Sequence, residues 1–180
     1  YKISPDSVQE LLGILATYDS QVTTYYMKGN HDHGDVNSTS LDIFKSMAQF
    51  KMLKNFHVIT DRSIMEIEGV TINFCAFPHK ELLPTNRHSI NFIHQDIDGA
   101  VGDTGRVLRV KNEIELDSRS FTFGGHIHKH QYIKSKNLVL VGNLYQKTFG
   151  ESGEKGFVVF KAKYKDKKLK VNWNYIPQMP

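Results

Sequence analysis

The sequence holds one cysteine, one tryptophan and five prolines among 180 residues. A lone Cys75 excludes an intrachain disulfide and therefore a disulfide-stapled fold, and it favours a reducing compartment. It sits in the apolar run Ile72-Asn73-Phe74-Cys75-Ala76-Phe77, which predicts a buried core thiol. No stretch approaches the roughly 20 apolar residues of a membrane span, so no membrane partner is expected. Neither charge sign dominates: 23 Lys and Arg against 19 Asp and Glu give a net charge of +4. That balance is compatible with a polyanionic substrate and equally with a solvated lysine-rich surface. Repeats, low-complexity tracts and linkers are also missing. Residues 1–180 are therefore expected to form one domain with one sizeable core.

What is present reads as a mixed α/β chain. Ser4-Pro5-Asp6 supplies an N-cap, a proline at the first helical position and an acid in the first turn. Val8, Leu11, Leu12, Ile14 and Leu15 follow at helical spacing. Residues 22–27 are β-branched and aromatic and read as a strand. A polar loop through Asn37 leads to a predicted second helix near residues 40–51. Strands then dominate: 57–60, 64–67 and 70–77 around a tight turn at Glu68-Gly69, 90–93, 121–123 and 138–141. A last hairpin pairs 156–164 with 169–176 and turns at Lys165-Asp166-Lys167. Residues 99–105 read as a Gly- and Asp-containing loop.

Three of these strands end on polar side chains that can bind metals. Asn30, His94 and His126 each lie just past a strand's carboxyl end, the place where ligand sites assemble in layered α/β folds. His126 and His128 are two residues apart, so at a strand-to-loop transition they can grip adjacent ions. Imidazole is the commonest neutral metal ligand near pH 7. Asn30 adds an oxygen that suits manganese or magnesium. Two ions roughly 3.5–4 Å apart can clamp a phosphodiester and activate water, and a histidine such as His31 can protonate the leaving oxygen. Each element alone is unspecific. An Asn-His-Asp loop is ordinary turn chemistry, an H-x-H pair is unremarkable in a chain of nine histidines, and His94 alone reads as a capped core histidine. The set, its order and its strand-end placement carry the signal.

Gly29-Asn30-His31-Asp32, then His94, then Gly125-His126-Ile127-His128 resembles the later signature blocks of the calcineurin-like metallophosphoesterases. Three further stretches resemble the SbcD/Mre-type nucleases of DNA double-strand-break repair, including their phage counterparts. They are Phe92-Ile93-His94-Gln95, Phe123-Gly124-Gly125-His126-Ile127-His128-Lys129, and Gly142-Asn143 through Phe149-Gly150-Glu151 with Lys155-Gly156-Phe157. The resemblance implies an α/β sandwich of two mixed sheets flanked by helices. It implies that Asn30, His94 and His126 bind one divalent metal and His128 another, most naturally Mn2+, with Mg2+ as the alternative. It makes His31 the substrate-contacting proton donor and Asp32 the group that orients its loop. His33 and His130 match no ligand position and read as surface residues within reach of a nucleic-acid backbone. Implied partners are DNA, an SbcC-type SMC-like ATPase and a second copy of the chain. The implied setting is the cytoplasm of a bacterial or phage-infected cell, or its nucleoid.

The pattern departs in three places. The family's Asp-x-His block and its Gly-Asp block, whose carboxylate bridges the two metals, are not in this sequence. The chain thus reads as N-terminally truncated, lacking a βαβ-like piece of roughly 40–70 residues. Asn143 replaces the usual Ser or Thr after Gly142. Any ATPase-binding region lies beyond Pro180. Two other readings stand beside the nuclease: a metallophosphoesterase acting on a nucleotide, phosphoprotein or small phosphodiester, and a catalytically silent scaffold subunit of the same fold. The lysine run 161–170 alternates with apolar residues, and its plain reading is the exposed face of a terminal hairpin. On the ligands present, one ion keeps three protein ligands and the other keeps His128, so the chain by itself is expected to be weakly active or inactive. Calorimetric titration with Mn2+ checks this expectation, which tight binding at two sites would contradict.

Overall fold

A proline at the first helical position and a following acid start the helix α1 (Pro5–Asp19) as the sequence predicts. In this computed structural model, residues 5–19, 21–32, 53–146, 151 and 153–178 are described. Ser4, His33, the expected helix near residues 40–51 and the Thr148-Phe149-Gly150 stretch lie outside them. The chain divides into two compact units, Tyr1–Thr60 and Asp61–Pro180, each built on its own pairing.

In the first unit, β1 (Thr24–Met27) runs parallel to β2 (Phe56–Ile59), with Thr24 opposite Phe56 and Met27 opposite Ile59. The carboxylate of Asp19 closes the end of α1 onto the approach to β2. It accepts the backbone N–H groups of Lys54 at 2.7 Å and Asn55 at 2.8 Å. Leu53 and Phe56 form a small buried cluster against Leu15, Tyr26 and Val58. The parallel register brings Gly29 and the Asn30–Asp32 3-10 turn directly after β1.

The second unit holds a six-stranded mixed sheet in the order β3-β4-β5-β6-β8-β7. Its strands are β3 (Arg62–Ile67), β4 (Val70–Cys75), β5 (Ile90–His94), β6 (Phe121–Gly125), β7 (Gln131–Ile133) and β8 (Leu138–Leu140). The four inner strands β4, β5, β6 and β8 are parallel, while β3 and β7 flank them antiparallel. Glu68 (φ 49°) and Gly69 (φ 75°) both take positive φ, as a two-residue turn matched to strand twist demands. The short β7 has no sequence signature: Gln131-Tyr132-Ile133 is too brief for alternation to register.

Inner parallel strands are covered on both faces, and β4 is buried along its whole length. On one face Phe74, Phe92 and Phe123 stack in a row with ring centroids 5.3 and 5.6 Å apart. A ribbon of β9 (Gly156–Lys165) and β10 (Lys168–Pro177) lies over this row through Phe160, 4.6 Å from Phe123. The opposite face buries Cys75, Ile93, Leu138 and Leu140 under Ile97, Ala100, Ile114 and Ile127. Burial pushes the Cys75 thiol pKa up, as suits an inert core cysteine. Across that face, Asn91 accepts from Ser89 Oγ at 2.7 Å and donates to Thr122 Oγ1 at 3.2 Å, so its buried amide is paired.

The structure is therefore mixed α/β, with one mixed sheet, a parallel pair and an antiparallel ribbon among the described residues. Irregular chain from 97 to 116 covers one face of the mixed sheet. Gly99, Gly102 and Gly105 break helical continuation there, while Ile97, Ala100 and Ile114 still bury. Among the described residues, no helix is long and apolar enough to cross a membrane. Leu140→Ala, at a fully buried position, should cost about 3 kcal/mol in urea unfolding. Phe157→Ala on the exposed ribbon face should change stability by less than about 0.5 kcal/mol.

Candidate metal centre

Parallel pairing of β5 with β6 places His94 opposite Gly125. A Cβ at Gly125 would come within 2.9 Å of His94 Nδ1, so only glycine lets the ring lie against the neighbouring strand. The next residue, His126, has φ 75°, the left-handed region that costs a non-glycine residue about 1 kcal/mol or more. That reversal turns its ring back toward His94. The two rings meet edge to face, 5.2 Å apart at 70°. His126 Nε2 also lies 3.0 Å from Asp96 Oδ1. A left-handed backbone at a histidine pair on a strand's carboxyl edge makes this a candidate functional position.

A second cluster forms where the loops after β6 and β8 cross. Val141 N–H donates to Gly124 O at 2.9 Å, and Asn143 N–H donates to His128 O at 3.0 Å. Gly142 makes the crossing with φ 81°, and a Cβ there would lie 2.8 Å from His130 N. Strapped in this way, His128 puts Nδ1 2.8 Å from Asp103 Oδ2 and 3.4 Å from Glu151 Oε1. Asp103 reaches the site from a tight turn, in which Gly105 N–H donates to Gly102 O at 3.0 Å. Gln131 anchors that turn by accepting from Val101 N–H at 2.8 Å and donating to Val101 O at 2.9 Å. The Glu151 side chain is 2% exposed. Its Oε2 takes Lys155 Nζ at 2.8 Å and Asn143 Nδ2 at 3.5 Å, which leaves Oε1 facing His128.

One ligand atom from each of Asp103, His128 and Glu151 lies within 4.8 Å of the others. His128 Nδ1 is buried and forms no aligned hydrogen bond among the described residues, despite the two carboxylates beside it. A shared cation would bring that nitrogen and the two carboxylates beside it onto one centre. Ligands about 2.1 Å from an ion and at right angles to one another stand about 3.0 Å apart, close to the 2.8 and 3.4 Å that separate His128 Nδ1 from Asp103 and Glu151. The structure thus contains an Asp-His-Glu group able to bind a metal ion. Lys155 already neutralises part of the Glu151 charge, which moderates the affinity.

Asn30, His31 and Asp32 lie in the first unit. Asp32 Oδ1 accepts the Tyr26 hydroxyl at 2.9 Å, and Oδ2 accepts Gly29 N–H at 2.8 Å. The carboxylate thereby closes the Asn30–Asp32 turn and orients it. Burial, and next the Asp32 charge, hold the Tyr26 hydroxyl pKa well above its usual value, so it remains a donor. His31 is exposed and Asn30 half-buried.

The structure brings His94 to His126, and it gives His128 two carboxylates that sequence reasoning had not assigned to it. Sequence reasoning left His128 as the second ion's one protein ligand, and Asp103 and Glu151 lie beside it. Glu151 had been noticed within a Phe-Gly-Glu segment but given no role. Asp103 sits in a Gly-flanked turn, a context that ordinarily signals a loop. Asp96 carried only its i+2 spacing from His94. His130 is not a free surface residue: its Nδ1 donates to Leu140 O at 3.0 Å, and its ring stacks on Tyr175 at 3.8 Å. In comparisons with known proteins, no family model and no curated protein matches the chain.

If His126 is strained as its φ implies, His126→Gly should hold stability or gain up to about 1 kcal/mol, whereas His126→Val should lose about 1 kcal/mol or more. Chemical denaturation of both variants decides, and equal losses would contradict a left-handed backbone at this position.

Proposed function

We propose that this chain belongs to a metal-dependent phosphodiesterase of the calcineurin-like metallophosphoesterase type, acting on DNA as an SbcD/Mre-like exonuclease and endonuclease subunit. The observation that most supports this reading is the Asp103-His128-Glu151 cluster, one crossing loop away from the strained His126 and its neighbour His94. The reading assigns His94 and His126, within the second unit, to one divalent ion, and His128 with Asp103 and Glu151 to another. Mn2+ is the ion best matched to these mixed oxygen and nitrogen ligands. Bound divalent ions would neutralise phosphoryl charge and acidify the attacking water. His31 is exposed on a turn that Asp32 fixes, and an imidazole so placed can hold a proton. Lys155 and Asn143 hold one oxygen of Glu151 and so aim the other at His128. On this reading the partners are DNA, an SMC-like ATPase of SbcC type and a second copy of the chain.

Metal binding tests the reading without requiring turnover. Wild-type chain should bind one Mn2+ through the His128 cluster, detected by calorimetry and by Mn2+ electron paramagnetic resonance. His128→Ala and Asp103→Ala should each weaken that site at least about tenfold. Equal binding in all three proteins would overturn the assignment. Faster Mn2+-dependent cleavage of a chromogenic phosphodiester than of duplex DNA ends would move the reading toward a small-molecule phosphodiesterase.

A further inference from the structure

The lysine run that reads as a plain solvated face has a specific arrangement in the folded ribbon. In the β9–β10 register Lys165 stands opposite Lys168, Lys163 opposite Lys170, and Lys161 opposite Asn172. Residues directly opposite in an antiparallel pair point to the same side, and all five lysines are exposed. The other side of the ribbon is committed to the sheet through Phe160, Tyr164, Trp173 and Tyr175. Phe160 packs on Phe92 and Phe123, Trp173 meets Tyr132, and Tyr175 stacks on His130. Arg87 lies 4.7 Å over the Tyr164 ring, whose hydroxyl donates to His88 O.

Two directly opposed Lys–Lys pairs are destabilising. Opposing each lysine with an acid would remove the penalty, and the chain has 19 acids to use. None occupies this face: the described acid in the ribbon, Asp166, is in the turn. Among the described residues, no ion pair reaches any of the five lysines. Local rules broken without internal compensation point to a partner that supplies the compensation.

We propose that the outward face of the β9–β10 ribbon, through Lys161, Lys163, Lys165, Lys168 and Lys170, docks the phosphate backbone of duplex DNA. Alternate strand residues repeat about every 6.7 Å and neighbouring strands lie about 4.8 Å apart, so the ammonium groups form two short rows. Over about 14 Å a DNA strand presents roughly four phosphates, a charge that five lysines match. Lysine is a compact point charge on a flexible stem and suits phosphate contact without sequence readout. An anionic membrane fits less well. The apolar residues of this face, Phe157, Val159 and Ile176, lie at the ribbon's open end, away from the projecting turn where insertion would need them. This inference rests on the DNA-directed reading of the chain, and its test uses binding alone.

The experiment is a fluorescence-anisotropy titration of blunt duplex DNA across a salt series. It compares wild-type chain, a Lys163→Gln/Lys165→Gln/Lys168→Gln/Lys170→Gln variant, and a Lys111→Gln/Lys134→Gln control altered at exposed lysines elsewhere. The four-site variant should bind at least about tenfold more weakly at low salt, with a log–log salt slope shallower by about 3 to 4. The control should match wild type. Thermal melting should show the four-site variant at least as stable as wild type, because the opposed charges are gone. Wild-type DNA binding that the four-site variant retains would overturn this face and leave the nuclease reading standing. Failure of wild-type chain to bind DNA while it still binds Mn2+ would overturn the DNA substrate itself. Binding to anionic vesicles in place of DNA would overturn the inference in favour of a membrane surface.

Discussion

The parallel pairing of β5, β6 and β8 is the constraint on which the second unit depends. Parallel neighbours end at a common edge, so the chain leaves each strand on the same side of the sheet. His94 therefore closes β5 opposite Gly125, and the loops after β6 and β8 must cross one another. The crossing is tight enough that Gly142 has no room for a side chain. Once it is made, the backbone of His128 is hydrogen-bonded to Asn143, and Asn143 lies beside Glu151. The metal-competent geometry follows from the register of an apolar sheet.

Much of this architecture was legible in the sequence. The Glu68-Gly69 turn, the strand at 90–93 ending on His94, and the terminal hairpin all announced themselves by turn chemistry or alternation. What was not legible has physical reasons. The cover over the Cys75–Ile93–Leu140 face is irregular chain, and such chain buries Ile97, Ala100 and Ile114 without a period that could reveal it. The carboxylates beside His128 come from a Gly-rich turn about 25 residues upstream and a segment about 23 residues downstream. Asp and Glu in such places are ordinary surface residues until tertiary structure collects them. His130 misled in the opposite direction: its neighbours in sequence are polar, but Tyr175 reaches it from a distant strand.

The same tertiary logic bears on what the His128 cluster is for. A buried Glu beside a Lys is a self-sufficient ion pair, and Glu151 with Lys155 needs nothing more. Asp103 could sit equally well in water. The two carboxylates nevertheless converge on one imidazole nitrogen that makes no aligned hydrogen bond. One oxygen of Glu151 pairs with Lys155, while the other stands 3.4 Å from His128 Nδ1, which Asp103 approaches to 2.8 Å. A cation shared by Asp103, His128 and Glu151 would draw on all three at once, with Asn143 and Lys155 as the groups that aim Glu151.

The terminal ribbon shows why its lysines cannot be dismissed as drift toward a soluble surface. Side chains alternate along a strand, so a slip of one residue would exchange its two faces. The aromatic residues Phe160, Tyr164, Trp173 and Tyr175 pin the inner face against the sheet and forbid that slip. The opposed lysine pairs are therefore a fixed cost of the register, felt in every folded molecule. Substitution of a single member by Thr or Glu would remove each pair without touching the packed side. A surface shaped by folding alone would be expected to take that route. Among the described residues no acid compensates either pair, so a partner that brings negative charge would relieve a cost that the register itself imposes.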